Sequence, residues 1–197
     1  YLEDGILNSS DEVTLKIDFS RRKAIMRNHS AAHLLQAALR KVLGSHVEQS
    51  GSYVDENRVR FDFTHFSAMT KEELQKVEDL VNEEILDDIK VEKKEMPIEE
   101  AKKLGAMALF GEKYGDIVRV VKMGDFSVEF CGGTHVDNTG KLGLFKIISE
   151  NSVASGVRRI EGTTGMGVLK LLDDANNTIS SVALNMKLKN TGEIISK

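Results

Sequence analysis

The chain contains a single cysteine, Cys131, in the glycine-rich segment Cys131-Gly-Gly-Thr-His135. A second pair with the same spacing, His29 and His33, lies in a run with helical periodicity. Residues four apart on a helix project from one face, so both imidazoles can reach one point. These two pairs use four of the six His and Cys side chains in the protein. Three imidazoles and a thiolate form a borderline-soft donor set that suits Zn²⁺ in a tetrahedron. Gly132 and Gly133 let the backbone curl so that Cys131 and His135 reach the same ion. A shared ion would fasten the helix to the segment that follows a strand, which restricts the fold sharply. Taken singly, each half has an ordinary reading: two helix-surface histidines, and a small core cysteine. His29-Ser-Ala-Ala-His33 lacks the glutamate of a metalloprotease helix, so peptide hydrolysis by that scheme is disfavoured. Four protein ligands describe a closed structural site, whereas a catalytic site keeps a position open, and spacing alone leaves both readings standing.

The rest of the pattern is α+β. Val13, Leu15, Ile17 and Phe19 alternate with polar residues, which predicts a half-buried strand. A helix follows over residues 24–43, stopped by Gly44. Strands are expected at 52–54 and 58–63, and Thr70 with Glu73 forms a capping box opening a helix to about residue 88. A strand over 90–96, a short helix over 98–104 and a hairpin of 117–123 with 126–130 around Gly124-Asp125 come next. Two more strands are read at 143–149 and 153–160, and a helix at 165–189. Long helices thus pack on a mostly antiparallel sheet, with a C-terminal helix leading out of the domain.

Composition narrows the class. Hydrophobic residues make up 41% and charged residues 29%, ordinary for a folded chain of 197 residues. No apolar run approaches the length needed to span a bilayer, so a membrane protein is not expected, and the N-terminal residues show no basic-then-apolar signal pattern. One cysteine forms no internal disulfide, and a reducing cytoplasm is the expected compartment. The formal net charge is −4, so a nucleic-acid partner needs a local basic patch.

Five segments in order carry a family resemblance: Arg27-Asn-His-Ser-Ala-Ala-His-Leu-Leu35, Arg58-Val-Arg-Phe-Asp-Phe63, Gly105-Ala-Met-Ala-Leu-Phe-Gly-Glu-Lys-Tyr-Gly-Asp116, Phe130-Cys-Gly-Gly-Thr-His-Val136 and Gly156-Val-Arg-Arg-Ile-Glu161. From about Val13 to Gly165 the chain resembles the editing domain of alanyl-tRNA synthetase, with relatives in free-standing editing proteins and threonyl-tRNA synthetase. The resemblance implies hydrolysis of the ester in tRNA(Ala) mischarged with serine or glycine. It implies zinc held by His29, His33, Cys131 and His135, and a pocket lined by Gln49 with Ser52 nearby. It implies as partners the acceptor end of tRNA(Ala) and the catalytic domain of the same synthetase. Residues 21–164 are then the editing domain, 1–20 the remnant of an upstream segment, and 165–197 a truncated linker helix. The family's usual threonine is replaced by Ala32, which removes one hydroxyl that could recognise serine.

An aminoacyl ester is already activated, so its hydrolysis needs a positioned water, charge stabilisation and a fitted pocket. Gln49 and Glu129 are the candidates for placing that water. Glu129 shares a strand face with Cys131, which turns it toward the metal; its alternative is a solvated strand residue. Lys113 and Tyr114 are candidates for the terminal adenosine or its phosphate, or else a surface turn. Arg21, Arg22, Arg158 and Arg159 are candidates for acceptor-stem phosphates, against the ordinary alternative of a solvated face. Gln36 and Arg40 extend the His29–His33 face as supports or surface residues. His46 and His65 have no spacing partner and are read as non-ligands. Rival functions are a free-standing trans-editing protein, a non-catalytic zinc-stabilised tRNA-binding module, and a zinc hydrolase of small esters or amides.

Overall fold

Residues 30–39 of the first helix are all buried, so this helix is enclosed by other elements rather than laid on a surface. The computed structural model describes residues 4–108 and 114–195. Helix α1, Phe19–Leu43, begins at Asp18, whose side chain accepts from the Arg21 N–H, and ends at Gly44 with φ 116°. Strands β1 (Gln49–Val54) and β2 (Val59–Thr64) follow, then helix α2 (Lys71–Leu86), whose Thr70–Glu73 capping box is complete. Strand β3 (Val91–Pro97), helix α3 (Ile98–Lys103), and strands β4 (Ile117–Met123) and β5 (Ser127–Phe130) come next. A 3₁₀ turn at Thr139–Leu142 leads into β6 (Phe145–Ala154), β7 (Val157–Thr164) and α4 (Met166–Asn185).

The α+β class holds, but the strands form two sheets rather than one. The larger has the order β1-β2-β7-β6 and the smaller β3-β4-β5, with every neighbouring pair antiparallel. One core joins them: Leu34, Leu35 and Leu39 of α1, Val77, Val81 and Ile85 of α2, Phe61 and Phe63 of β2, and Val121 and Met123 of β4. A second, smaller cluster of Ala101, Val118, Val120 and Phe130 lies between α3 and the smaller sheet. Helix α1 thereby touches β1, β2 and β7 on one side and β5 on another, the arrangement that brings its histidines to Cys131.

Three expectations change. The alternating run from Val13 to Phe19 forms no strand; Leu15 is 90% exposed and helix α1 already starts at Phe19. Alternation supplies a pattern, but a strand also needs a hydrogen-bonding neighbour, and residues 11–18 pair with none. The break expected between the last two strands, at 150–152, is absent. Strand β6 runs on to Ala154 and turns at Ser155-Gly156, with Gly156 at φ 69°. Two register shifts let its polar residues stay paired, and Glu150 is anchored by Arg158. Helix α4 ends at Asn185 and buries only Val168 and Ala183.

Candidate metal centre and cleft

His29, partly buried, and His33, buried, come from one stripe of α1, and Cys131 and His135 from the loop leaving β5. The four side chains converge, with one donor atom from each lying within 4.8 Å of all the others. Cys131 Sγ is 3.5 Å from His29 Nε2 and 3.3 Å from His135 Nε2. A tetrahedral ion bound by nitrogen at about 2.1 Å and sulfur at about 2.3 Å gives edges of about 3.5 Å. The donor chemistry also fits. Burial, with help from His29 and Arg119, lowers His33 to about 3. Burial likewise lowers His29 and His135, with neighbouring imidazoles and Arg119 adding to the effect on His135. Three neutral imidazoles beside a thiol are a ligand set for a cation.

The loop is held by groups whose part in the site is not evident from spacing. Arg119 Nη1 donates to the carbonyls of Cys131 (2.7 Å) and Gly133 (2.8 Å), and Lys93 Nζ donates to the His135 carbonyl (3.1 Å). Ser30 Oγ contacts His135 Nδ1 at 3.1 Å and accepts from the Val136 N–H, leaving Nε2 turned toward Cys131. The Gly133 N–H points at Cys131 Sγ, 3.4 Å away. The two glycines are not equivalent. A Cβ on Gly133 would clash with the edge of the His29 ring, nearest to Cε1, whereas one on Gly132 meets nothing within 4 Å. Only Gly133 is required, and the reason is close approach rather than backbone dihedral. Of these helpers, Arg119 left a trace in the sequence, as a lone charge in the apolar run Ile117-Val-Arg-Val-Val121.

The cluster opens onto a cleft of about 630 Å³. Arg22, Ala32, Gln36, Gln49, Ser52 and Glu129 line it together with His29, His33 and Cys131. Gln49 and Ser52 are an odd number of residues apart and would point to opposite faces of a regular strand. A bulge between Gln49 and Gly51 turns both to the cleft. Glu129 is buried, not solvated: Ser127 Oγ donates to its Oε1 (3.1 Å), and its Oε2 lies 3.4 Å from His33 Nδ1. That approach is an electrostatic contact rather than an aligned hydrogen bond. Burial pushes the Glu129 carboxyl up to about 8, against the opposing effect of the Ser127 hydroxyl.

Other candidates lie elsewhere. Arg21 pairs with Glu56 (3.2 Å) at the surface. Arg158 is bound by both Glu150 oxygens, and Arg159 by both Asp62 oxygens at 2.7 Å, on β7 rather than in the cleft. Tyr114 packs edge-on against Phe130 with ring centres 5.1 Å apart. Lys113 lies outside the described residues. His46 and His65 are 2.9 Å apart and stacked on each other, away from the four-residue cluster. Among the described residues no helix is long and apolar enough to cross a membrane.

Comparison with known proteins bears on this site directly. Residues 118–161 match the family described as threonyl and alanyl tRNA synthetase second additional domain, a stretch that includes Cys131 and His135. The alanine--tRNA ligase of Acetivibrio thermocellus is 58% identical over 186 residues, covering 94% of this chain and 21% of the relative. Alanine--tRNA ligase 1 of Lachnoclostridium phytofermentans is 63% identical over 166 residues, 84% of this chain and 19% of the relative. The alanine--tRNA ligase of Staphylococcus saprophyticus is 50% identical over 196 residues, 100% of this chain and 22% of the relative. The chain thus spans about a fifth of the length of these curated relatives. Over nearly its whole length it corresponds to the editing-domain region of alanyl-tRNA synthetases, the region that carries the second additional domain.

Proposed function

We propose that this chain is an aminoacyl-tRNA deacylase domain that hydrolyses the ester of tRNA(Ala) mischarged with serine or glycine, with zinc held by His29, His33, Cys131 and His135. The observation that carries the reading is the single cleft that gathers Gln49, Ser52 and Glu129 around the four-residue cluster. Zinc bound there supplies Lewis-acid polarisation of a carbonyl or a grip on a substrate amine. The chain's own residues supply the rest. The Gln49 amide and the Glu129 carboxyl hold the attacking water, and closure of the cleft around the ester raises its effective concentration. Ser52 sits at the exposed mouth, where it meets the arriving acyl end. Arg22, on the cleft wall, takes phosphates of the acceptor stem, as does Arg21 beside it once it leaves the exposed carboxylate of Glu56, while Arg158 and Arg159 would have to give up two-oxygen carboxylate pairs. Residues 21–164 carry this activity, and the parent synthetase's catalytic domain and a cytoplasmic setting follow from the same reading.

One observation favours a second reading. Four converging donors complete a tetrahedron without substrate, as in a site whose ion only fastens α1 to the β5 loop. Deacylation of Ser-tRNA(Ala) by the isolated chain separates the two: a fastener leaves the ester intact. Competition by uncharged tRNA(Ala) separates both from a hydrolase of small esters.

A further inference from the structure

Gln36 is 6% exposed, lines the cleft, and its Oε1 is buried without a hydrogen-bond partner among the described residues. Its Nε2 rests 4.0 Å from Met107 Sδ, a weak acceptor. Exchanging the two ends of the amide would not satisfy the oxygen, because a thioether has no proton to donate. A buried carbonyl left unpaired costs free energy that a ligand's donor can recover. Helix α1 explains how the group comes to be there. Gln36 lies three residues beyond His33 and four beyond Ala32, so all three share the stripe that walls the cleft. Ala32 offers no hydroxyl, and Ser52 is exposed, where water already satisfies it. A site rejects a substrate lacking a hydroxyl strongly only when its own partner group is buried and otherwise unpaired. Among the cleft-lining side chains, the buried ones that carry polar atoms are His33, Gln36 and Glu129. His33 belongs to the metal cluster, and Glu129 is engaged by Ser127 and His33.

We infer that the Gln36 side-chain carbonyl accepts a hydrogen bond from the hydroxyl of a seryl ester and so sets serine apart from glycine and alanine in this cleft. The inference rests on the deacylase reading and deepens it. Glycine is the internal control, because its ester has no hydroxyl to lose.

The test compares hydrolysis of Ser-tRNA(Ala) and Gly-tRNA(Ala) by the wild-type chain and by Gln36→Met, which keeps length and removes the acceptor. The serine rate should fall roughly five- to tenfold, as for loss of one hydrogen bond. The glycine rate and metal content should stay within about twofold, a margin well below that loss. Equal losses on both substrates, or none on either, would overturn the assignment. Inactivity of the metal-loaded wild type on both substrates would overturn the deacylase reading, and Gln36 with it. If Gln36→Met fails to fold or to hold metal, the wild type decides by calorimetry with 3′-amide analogues of aminoacyl adenosine. The seryl amide should bind roughly fivefold tighter than the glycyl amide, and equal binding overturns the proposal.

Discussion

Glu129 Oε2 lies 3.4 Å from His33 Nδ1, and both side chains are almost wholly withdrawn from solvent. A carboxyl group close behind a ligating imidazole biases which ring nitrogen faces the ion. Glu129→Gln should therefore weaken metal binding roughly 10- to 100-fold while leaving the fold intact. Competition with a chelator of known affinity reads this directly; unchanged affinity would make Glu129 irrelevant to the metal.

The same pair sets the pH dependence of the metal-free chain. His33 falls from its ordinary 6.5 to about 3 on folding, so the unfolded chain binds more protons between those values. Its contribution to stability is present above about 6.5 and is lost as pH falls toward 3, and His29 and His135 act in the same direction. Glu129 rises from 4.5 to about 8, so the folded chain binds the extra proton, and stability is lost as pH climbs through that window. The stripped protein should be most resistant to thermal unfolding near pH 6.5, and its stability should decline toward pH 8. Glu129→Gln should remove the alkaline decline and keep the acid one.

Gly133→Ala and Gly132→Ala are a matched pair. The first drives a methyl into the His29 ring and should cost on the order of 2 kcal/mol together with most of the metal affinity. The second meets open space and should change neither. Equal behaviour of the two in a metal titration would mean that the loop does not pack on His29 as described.

Much of this site was readable before the fold, and the failures have physical causes. The spacings His29/His33 and Cys131/His135, the stop at Gly44 and the Thr70–Glu73 capping box are local chemistry, and local chemistry is written in local sequence. Val13 to Phe19 misled because alternation records which faces differ, not whether a neighbouring strand exists. The bulge that turns Gln49 and Ser52 to one side is created by pairing with Phe63 and Asp62, so β1 alone does not reveal it. Ser30, Lys93 and Arg119 hold the loop from three separate elements; Ser30 and Lys93 are ordinary residues until the chain brings them together, and Arg119 stands out only as a lone charge in an apolar strand. Gln36 was visible as a neighbour of His33, but only burial shows that its oxygen has no partner.

Binding of tRNA should depend on few cations, given the net charge of −4. Each phosphate contact contributes about −0.7 to −0.9 to the slope of log K against log salt. Arg21→Ala with Arg22→Ala should make that slope shallower by one to two such increments. An unchanged slope places the acceptor stem elsewhere, with Arg158 and Arg159 next to test.

The central claim is that the four-residue cluster and the cleft form one hydrolytic site. Its most direct test measures metal content and Ser-tRNA(Ala) deacylation on the same samples of wild type, Cys131→Ala and His46→Ala. The account predicts one zinc per chain and hydrolysis in wild type and in His46→Ala, and loss of both in Cys131→Ala. Hydrolysis surviving in zinc-free Cys131→Ala, or no hydrolysis by zinc-loaded wild type, would contradict it.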